Sequence, residues 1–289
     1  MTLKEIKKLL KKYNIRPSRR LGQNFLISEL VLEKIIEAAN LSKDDIVLEV
    51  GPGIGNLTIK LAKRVKKVIA VEKDQKMIKI LKKVVKNLKN VKIIKGDILK
   101  IFEHKRQTVV CFLCKGYKVV ANIPYYLTSP LIKKFLETVE VKPQQMVLMI
   151  QKEVAQRICA KPPDMNLLAI SVQFYAKPEI TSYVSKKSFW PQPKVDSAII
   201  KIVPRPLLIF KTIVQNISKE KFRNLFFKVV RIGFLQPRKQ LINNLSKGLK
   251  IKKKRVKNWL LENEIKPTQR AETLTIEDWI KLTKSIKIH

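Results

Sequence analysis

Short β-branched runs alternate with longer stretches of helical period through the first two-thirds of the chain. The runs fall at residues 46–50, 68–72, 91–95, 118–121 and 146–150. Between the first two, residues 56–65 place Leu57, Leu61, Ala62 and Val65 on one helical face. Between the second and third, residues 76–88 do the same with Met77, Ile80, Leu81, Val84 and Leu88. Strands spaced by amphipathic helices predict a parallel sheet covered by helices. After the fifth strand, residues 153–160 and 167–174 read as helices. Residues 180–184 and 195–203 read as a hairpin-like strand pair around the proline-rich 189–194. The expected fold is α/β, a Rossmann-like sheet of seven strands.

Pro204-Arg205-Pro206 interrupts this pattern, because two prolines bar helix and central strand alike. Every segment beyond it has helical period: 219–232, 238–245, 254–262 and 276–286. The expected domains are therefore 1–204, which carries the sheet, and 205–289, small and all-helical. At the other end, Leu3, Ile6, Leu10 and Tyr13 form an apolar stripe among lysines. Such a basic amphipathic segment also fits a transit peptide or a membrane anchor. A short helix adding charge to an RNA-facing surface is the expectation here.

Charge narrows the partner. Against 61 Lys+Arg stand 23 Asp+Glu, a formal net charge of +38. Residues 205–289 alone carry 21 basic and 6 acidic side chains, a net +15. Such an excess favours a polyanionic partner, nucleic acid first and an anionic membrane surface second. Lysine-biased composition is the bland alternative. No apolar run approaches the ~20 residues that span a bilayer. Cys111 and Cys114 form a C-x-x-C with no second pair, and the only histidines are His104 and His289. No metal site is expected, and three cysteines fit a reduced, cytoplasmic chain.

The strongest local motif is Leu48-Glu49-Val50-Gly51-Pro52-Gly53-Ile54-Gly55-Asn56, where a strand gives way to a helix. Glycines there let the backbone turn tightly and approach a cofactor. The dinucleotide fingerprint asks for a last glycine at the position of Asn56, so an NAD-type reading is disfavoured. Glu72 closes the next strand, where a carboxylate binds a ribose diol. Asp97 follows the third strand, where a carboxylate accepts from an adenine amino group. Three successive strand ends facing one rim describe a nucleoside pocket.

The fourth strand ends in Ala121-Asn122-Ile123-Pro124-Tyr125-Tyr126. That segment resembles the catalytic motif of methyltransferases acting on adenine amino groups. Together with Arg20-Leu21-Gly22-Gln23-Asn24-Phe25-Leu26 upstream and Phe189-Trp190-Pro191-Gln192-Pro193-Lys194-Val195-Asp196-Ser197 downstream, it closely resembles the KsgA/Dim rRNA adenine dimethyltransferases. Gln151-Lys152-Glu153-Val154-Ala155, Arg238-Lys239-Gln240-Leu241 and Arg270-Ala271-Glu272-Thr273-Leu274 extend the likeness to Leu282. The chain departs from the family at Pro162-Pro163-Asp164-Met165-Asn166, where a Tyr-Gly pair is usual.

The resemblance implies a class I methyltransferase domain that uses S-adenosylmethionine. It implies that Asn24, Leu26, Gly51, Glu72, Asp97 and Asn122 hold the cofactor. Asn122 and Ile123 would receive the adenine amino group, Pro124 would fix the turn, and Tyr125 and Phe189 would close on the base. The implied substrate is two adjacent adenosines in the 3′-terminal hairpin of small-subunit rRNA, met in a pre-30S particle by a monomer and held in a basic cleft between the domains. A large-subunit methylase of the antibiotic-resistance (Erm) type and a non-catalytic nucleic-acid-binding relative are the rival readings.

Overall fold

A computed structural model of the chain describes residues 1–18, 21–102, 116–205 and 218–286. Arg20, His104, Cys111, Cys114, Pro206 and His289, on which several expectations rest, lie outside the described residues.

The N-terminal stripe forms α1 (Leu3–Lys12), opened by a capping box between Thr2 and Glu5. Its Ile6 and Leu10 are buried with Phe25, Ile54, Met77 and Ile80. There follow β1 (Phe25–Leu26), α2 (Glu29–Ala39), β2 (Ile46–Val50), α3 (Asn56–Ala62), β3 (Lys67–Glu72), α4 (Gln75–Val84), β4 (Val91–Lys95) and α5 (Ile98–Ile101). Next come β5 (Lys118–Asn122), a 3-10 turn at Tyr125–Leu127, α6 (Thr128–Lys133), β6 (Gln145–Gln151), α7 (Lys152–Ile158), α8 (Leu167–Gln173), β7 (Ala176–Val184), β8 (Phe189–Trp190) and β9 (Ser197–Pro204). The helical region holds α9 (Lys219–Gly233), α10 (Leu241–Leu249), α11 (Lys253–Glu262) and α12 (Ile276–Lys284).

The expected strands form one seven-stranded sheet in the order β4-β3-β2-β5-β6-β9-β7. β2, β3, β4, β5 and β6 run parallel, and β9 is antiparallel to β6. The last strand in sequence therefore inserts between β6 and β7 rather than closing the edge. From β2 the chain winds outward through β3 and β4, then restarts at β5 on the other side. The carboxyl ends of β2 and β5 thus flank a topological switch point, where α/β sheets open a ligand crevice.

Several boundaries moved: the helix expected at 76–88 stops at Val84, and the strand expected at 180–184 begins at Ala176. The helix expected at 238–245 starts at Leu241, because Lys239 N–H closes a turn on the Gln236 carbonyl. The helix expected at 56–65 stops at Ala62. Several elements went unread, α2, β1 and β8 among them. α2 was signalled by Ser28 at its N-cap and by Val31, Leu32, Ile35, Ile36 and Ala39 at helical spacing. β1 and β8 are two residues each, too short for any period.

The chain divides into two compact units, Met1–Gln156 with Lys177–Pro204, and Arg157–Ala176 with Arg205–His289. The boundary at 204/205 alone is therefore incomplete, since residues 157–176 belong with the helices. Met165, Ala169, Ile170 and Phe174 are buried in one core with Phe222, Phe226, Leu241, Trp259 and Trp279. The unusual 162–166 loop serves that core, because Met165 N–H donates to the Glu272 carbonyl and Asn166 caps α8.

Gly55 caps α3 at φ 90°, and a Cβ there would lie 2.8 Å from Leu81 Cδ1 and 3.3 Å from Val84 Cγ1. Leu81 is itself fully buried. Gly55→Ala is expected to lower stability by about 1–3 kcal/mol through crowding and the left-handed backbone, read by urea unfolding.

Glu49 on β2 is 1% exposed, and its Oε2 meets no hydrogen-bond partner among the described residues. Burial pushes its carboxyl up to about 8; the neighbouring Glu72 charge adds to this, and Thr58 opposes it. The folded protein therefore keeps Glu49 neutral where the unfolded chain ionises it. That contribution to stability is full below pH 4.5 and is lost as pH rises to about 8. Glu49→Gln should remove this slope, worth up to about 1.4 kcal/mol per pH unit. Parallel stability-versus-pH curves for the two proteins would contradict it.

Candidate active site

The chain's turn from β2 into α3 sets one wall of a cavity at the switch point. Gly51 N–H donates to the Val71 carbonyl at 2.9 Å, which ties the turn to the end of β3. Asn56 Nδ2 donates to the Leu26 carbonyl at 2.7 Å, which ties it to β1. Every cofactor and base residue expected from the sequence lines this one cavity: Asn24, Leu26, Gly51, Glu72, Asp97, Asn122, Ile123, Pro124, Tyr125 and Phe189.

Glu72 ends β3 with its carboxylate pinned by backbone. Oε2 accepts from Gly53 N–H at 3.0 Å, and Oε1 from Lys73 and Asp74 N–H, each at 2.8 Å. The side chain is buried, and burial raises its pKa against the pull of those three donors. Three of its roughly four lone-pair sites are so occupied, which leaves one on Oε2 to accept a hydroxyl donor without reorienting. Asp97 sits one strand over and N-caps α5, accepting from Leu99 N–H at 3.1 Å. Its Oδ2 also meets Lys73 Nζ at 2.8 Å. Burial would raise the Asp97 pKa, but Lys73 and the capping bond hold it below the ordinary value.

Opposite stands the segment leaving β5. Asn122 Nδ2 lies 3.5 Å from the Asn24 carbonyl, a long contact that directs the amide nitrogen towards the N-terminal strand and leaves Oδ1 to accept. Pro124 packs between Gly22 and Gly51. A Cβ on Gly22, at φ 61°, would come within 3.3 Å of Pro124 Cβ, so that close approach requires glycine. The Tyr125 hydroxyl and Ser197 Oγ are 2.8 Å apart, a hydrogen bond that anchors the ring to β9. Burial raises the Tyr125 pKa, so the phenol stays neutral. Phe189 is brought in by pairing of β8 with β1, where it stands opposite Leu26.

Residues not singled out by sequence reasoning complete the wall. Gln23 Nε2 donates to Asp74 Oδ2 at 2.8 Å, while its Oε1 accepts from Ser18 N–H at 2.8 Å. These bonds fix the segment bearing Asn24 against α4. Gln23 and Tyr126 stood inside the quoted motifs and were the available signal. Lys73, by contrast, acquires meaning only from its distance to Asp97.

The donor set suits a nucleoside-bearing methyl donor. Glu49 Oε2 and Asn56 Oδ1, both in residues of the cavity wall, are buried without partners among the described residues. Buried polar atoms of this kind are normally satisfied, here by a polar ligand or water. Glu72 and Asp97 share the cavity wall with apolar Val71, Met77 and Ile98. S-adenosylmethionine, with its diol, amino group and flat ring, matches such a set of acids and apolar walls.

The sheet order and this crevice define the class, a Rossmann-like methyltransferase that takes its methyl group from S-adenosylmethionine. The family model for ribosomal RNA adenine dimethylase matches residues 14–287. The ribosomal RNA small subunit methyltransferase A of Dehalococcoides mccartyi is 44% identical over 278 residues, 96% of this chain and 91% of that protein. Among solved structures, a dimethyladenosine transferase from Plasmodium falciparum superposes with a TM-score of 0.69 at 31% identity, covering 89% of this chain and 95% of that one. The 23S rRNA methyltransferase ErmE shares the fold, with a TM-score of 0.70 at 24% identity over 90% and 98% of the two chains. This chain belongs to the ribosomal RNA adenine dimethylase family. Among its described residues no helix is long and apolar enough to cross a membrane.

Proposed function

We propose that this chain dimethylates N6 of two adjacent adenosines in the 3′-terminal hairpin of small-subunit rRNA, working in the cytoplasm as a monomer on a precursor of the small subunit. The observation that carries the reading is the convergence of Asn122-Ile123-Pro124-Tyr125 on the same cavity as Gly51, Glu72 and Asp97. The curated relatives at 39–44% identity carry the small-subunit name, which favours that target over the large subunit.

Chemistry follows from what these residues can hold. The adenine amino lone pair is delocalised into its ring, so the nitrogen is a poor nucleophile. Asn122 Oδ1 and the Ile123 carbonyl accept the two N–H donors out of plane, which localises the lone pair and directs it at the methyl carbon. Tyr125 and Phe189 stack on the base, contributing on the order of 1–3 kcal/mol per base. Bound S-adenosylmethionine supplies an electrophilic methyl on a sulfonium, and the displaced proton leaves to water. Holding nucleophile and electrophile in line supplies much of the rate. Glu72 takes the ribose diol, Asp97 the adenine amino group, and Asn24, Leu26 and Gly51 the remainder of the cofactor.

Access to a paired or stacked adenosine requires turning it out of the helix. The +38 charge provides phosphate attraction to offset that cost, so affinity for RNA should fall steeply with added salt. Nucleoside analysis of treated, unmethylated small-subunit particles tests the reading. Dimethyladenosine at two neighbouring positions is the expected product. Monomethyladenosine alone, at any enzyme level, would contradict dimethylation.

A further inference from the structure

A second concavity lies outside the cavity, in the same unit. Three lysines, Lys152, Lys186 and Lys194, line it, with Gln151 and Gln156 between them. Glu153 and Asp196 also border it. Asp196 is occupied by backbone: Oδ1 accepts from Lys186 N–H at 2.9 Å, and its carbonyl from Lys152 N–H at 3.0 Å. It thus fixes the two segments that carry the lysines. The Lys152 ammonium lies 5.2 Å from the ring centre of Tyr183, which is 54% exposed.

The position of this groove gives it meaning. Ser197, next to Asp196, is the residue whose Oγ anchors the Tyr125 hydroxyl, and it pairs with Gln151 across β6 and β9. Lys186 opens the short turn that leads to Phe189, and the intervening Ser188 carbonyl accepts from Ile27 N–H of the segment that follows β1. The groove is therefore built on the segment that leads to one base-stacking ring, Phe189, and on the one that anchors the other, Tyr125. An adenosine turned out into the cavity carries its flanking phosphates to the rim beside those rings. A groove holding three ammonium groups and two amides there is suited to receive them.

We infer that this groove binds the RNA phosphates immediately flanking the target adenosine, with Tyr183 offering an aromatic face to a neighbouring base. The inference rests on the reading of the chain as an RNA adenine methyltransferase and adds the path of the strand. It differs from general attraction to a basic protein, because the charge has to be at this place.

The test compares two triple variants of equal charge. Lys152→Gln, Lys186→Gln and Lys194→Gln together neutralise the groove. Lys79→Gln, Lys82→Gln and Lys83→Gln neutralise exposed lysines of α4, at the opposite edge of the sheet. Binding and methylation of a hairpin RNA and its parent particle are measured across salt concentrations, with cofactor affinity as the control for folding. The groove variant is expected to lose at least about 10-fold in RNA affinity, with the salt slope falling by roughly 0.7–0.9 per lysine. The loss falls on KM for RNA, cofactor affinity is unchanged, and the α4 variant keeps most of its RNA affinity. Equal losses in both variants, or none in the groove variant, would overturn the proposal. Failure of the unaltered protein to methylate either RNA would instead remove the underlying reading.

Discussion

Asn122→Ala is expected to slow methyl transfer by about 100-fold or more while leaving the protein folded. The side chain ends β5 at the surface of the cavity, so its removal leaves no buried hole in the sheet. What disappears is the acceptor that holds the amino group out of plane. Because that contact matters most as the nitrogen becomes tetrahedral, the loss should appear in kcat more than in KM for RNA. Asn122 also borders the cofactor, so a several-fold weaker cofactor affinity should accompany it. Single-turnover rates at saturating cofactor and RNA separate the two effects. A rate within a few-fold of the unaltered protein would remove Asn122 from the chemistry.

Glu72→Ala is expected to act on the cofactor instead. A hydrogen bond to a charged group contributes about 1.5–3 kcal/mol, so losing the diol contacts should weaken S-adenosylmethionine binding about 10- to 100-fold. Some of that loss comes from freeing the Gly53, Lys73 and Asp74 amides, which Glu72 now orders. Glu72→Gln, with one acceptor oxygen, should fall between. The sign of the pH dependence follows from burial, which raises the Glu72 pKa above 4.5. The ionised form is the one that accepts from the diol. Affinity should therefore fall as pH drops, through a value above 4.5, and Glu72→Ala should lack that fall. Calorimetric titrations across pH measure both; an unchanged affinity in Glu72→Ala would reassign the diol site.

The parts of this molecule legible in its sequence are those governed by local period and by strand ends. β2 and β4 matched their expected residues because their β-branched runs are bounded sharply, by Asp45 and Gly51 and by Asn90 and Gly96. The placement of Gly51, Glu72, Asp97 and Asn122 around one cavity was legible for a related reason. Each sits at or just past the carboxyl end of a parallel strand, and the sheet brings those ends to one rim. Leu26 and Phe189 came from the family likeness, since the pairing of β1 with β8 that joins them spans two residues and has no pattern. The membership of residues 157–176 in the helical unit was illegible because α8 is apolar in either setting. Tertiary packing decides it, as where Phe174 stacks on Phe226 with ring centres 4.3 Å apart. Links such as Gln23 to Asp74 and Lys73 to Asp97 are tertiary distances, and the sequence holds no record of them.

The most direct test of the central claim is transfer of labelled methyl from S-adenosylmethionine to unmethylated small-subunit particles and, in parallel, to large-subunit rRNA, with Asn122→Ala alongside. Label in dimethyladenosine of the small-subunit rRNA, lost in the variant, is the predicted result. Label confined to the large subunit, or RNA bound with no label in either, would contradict it.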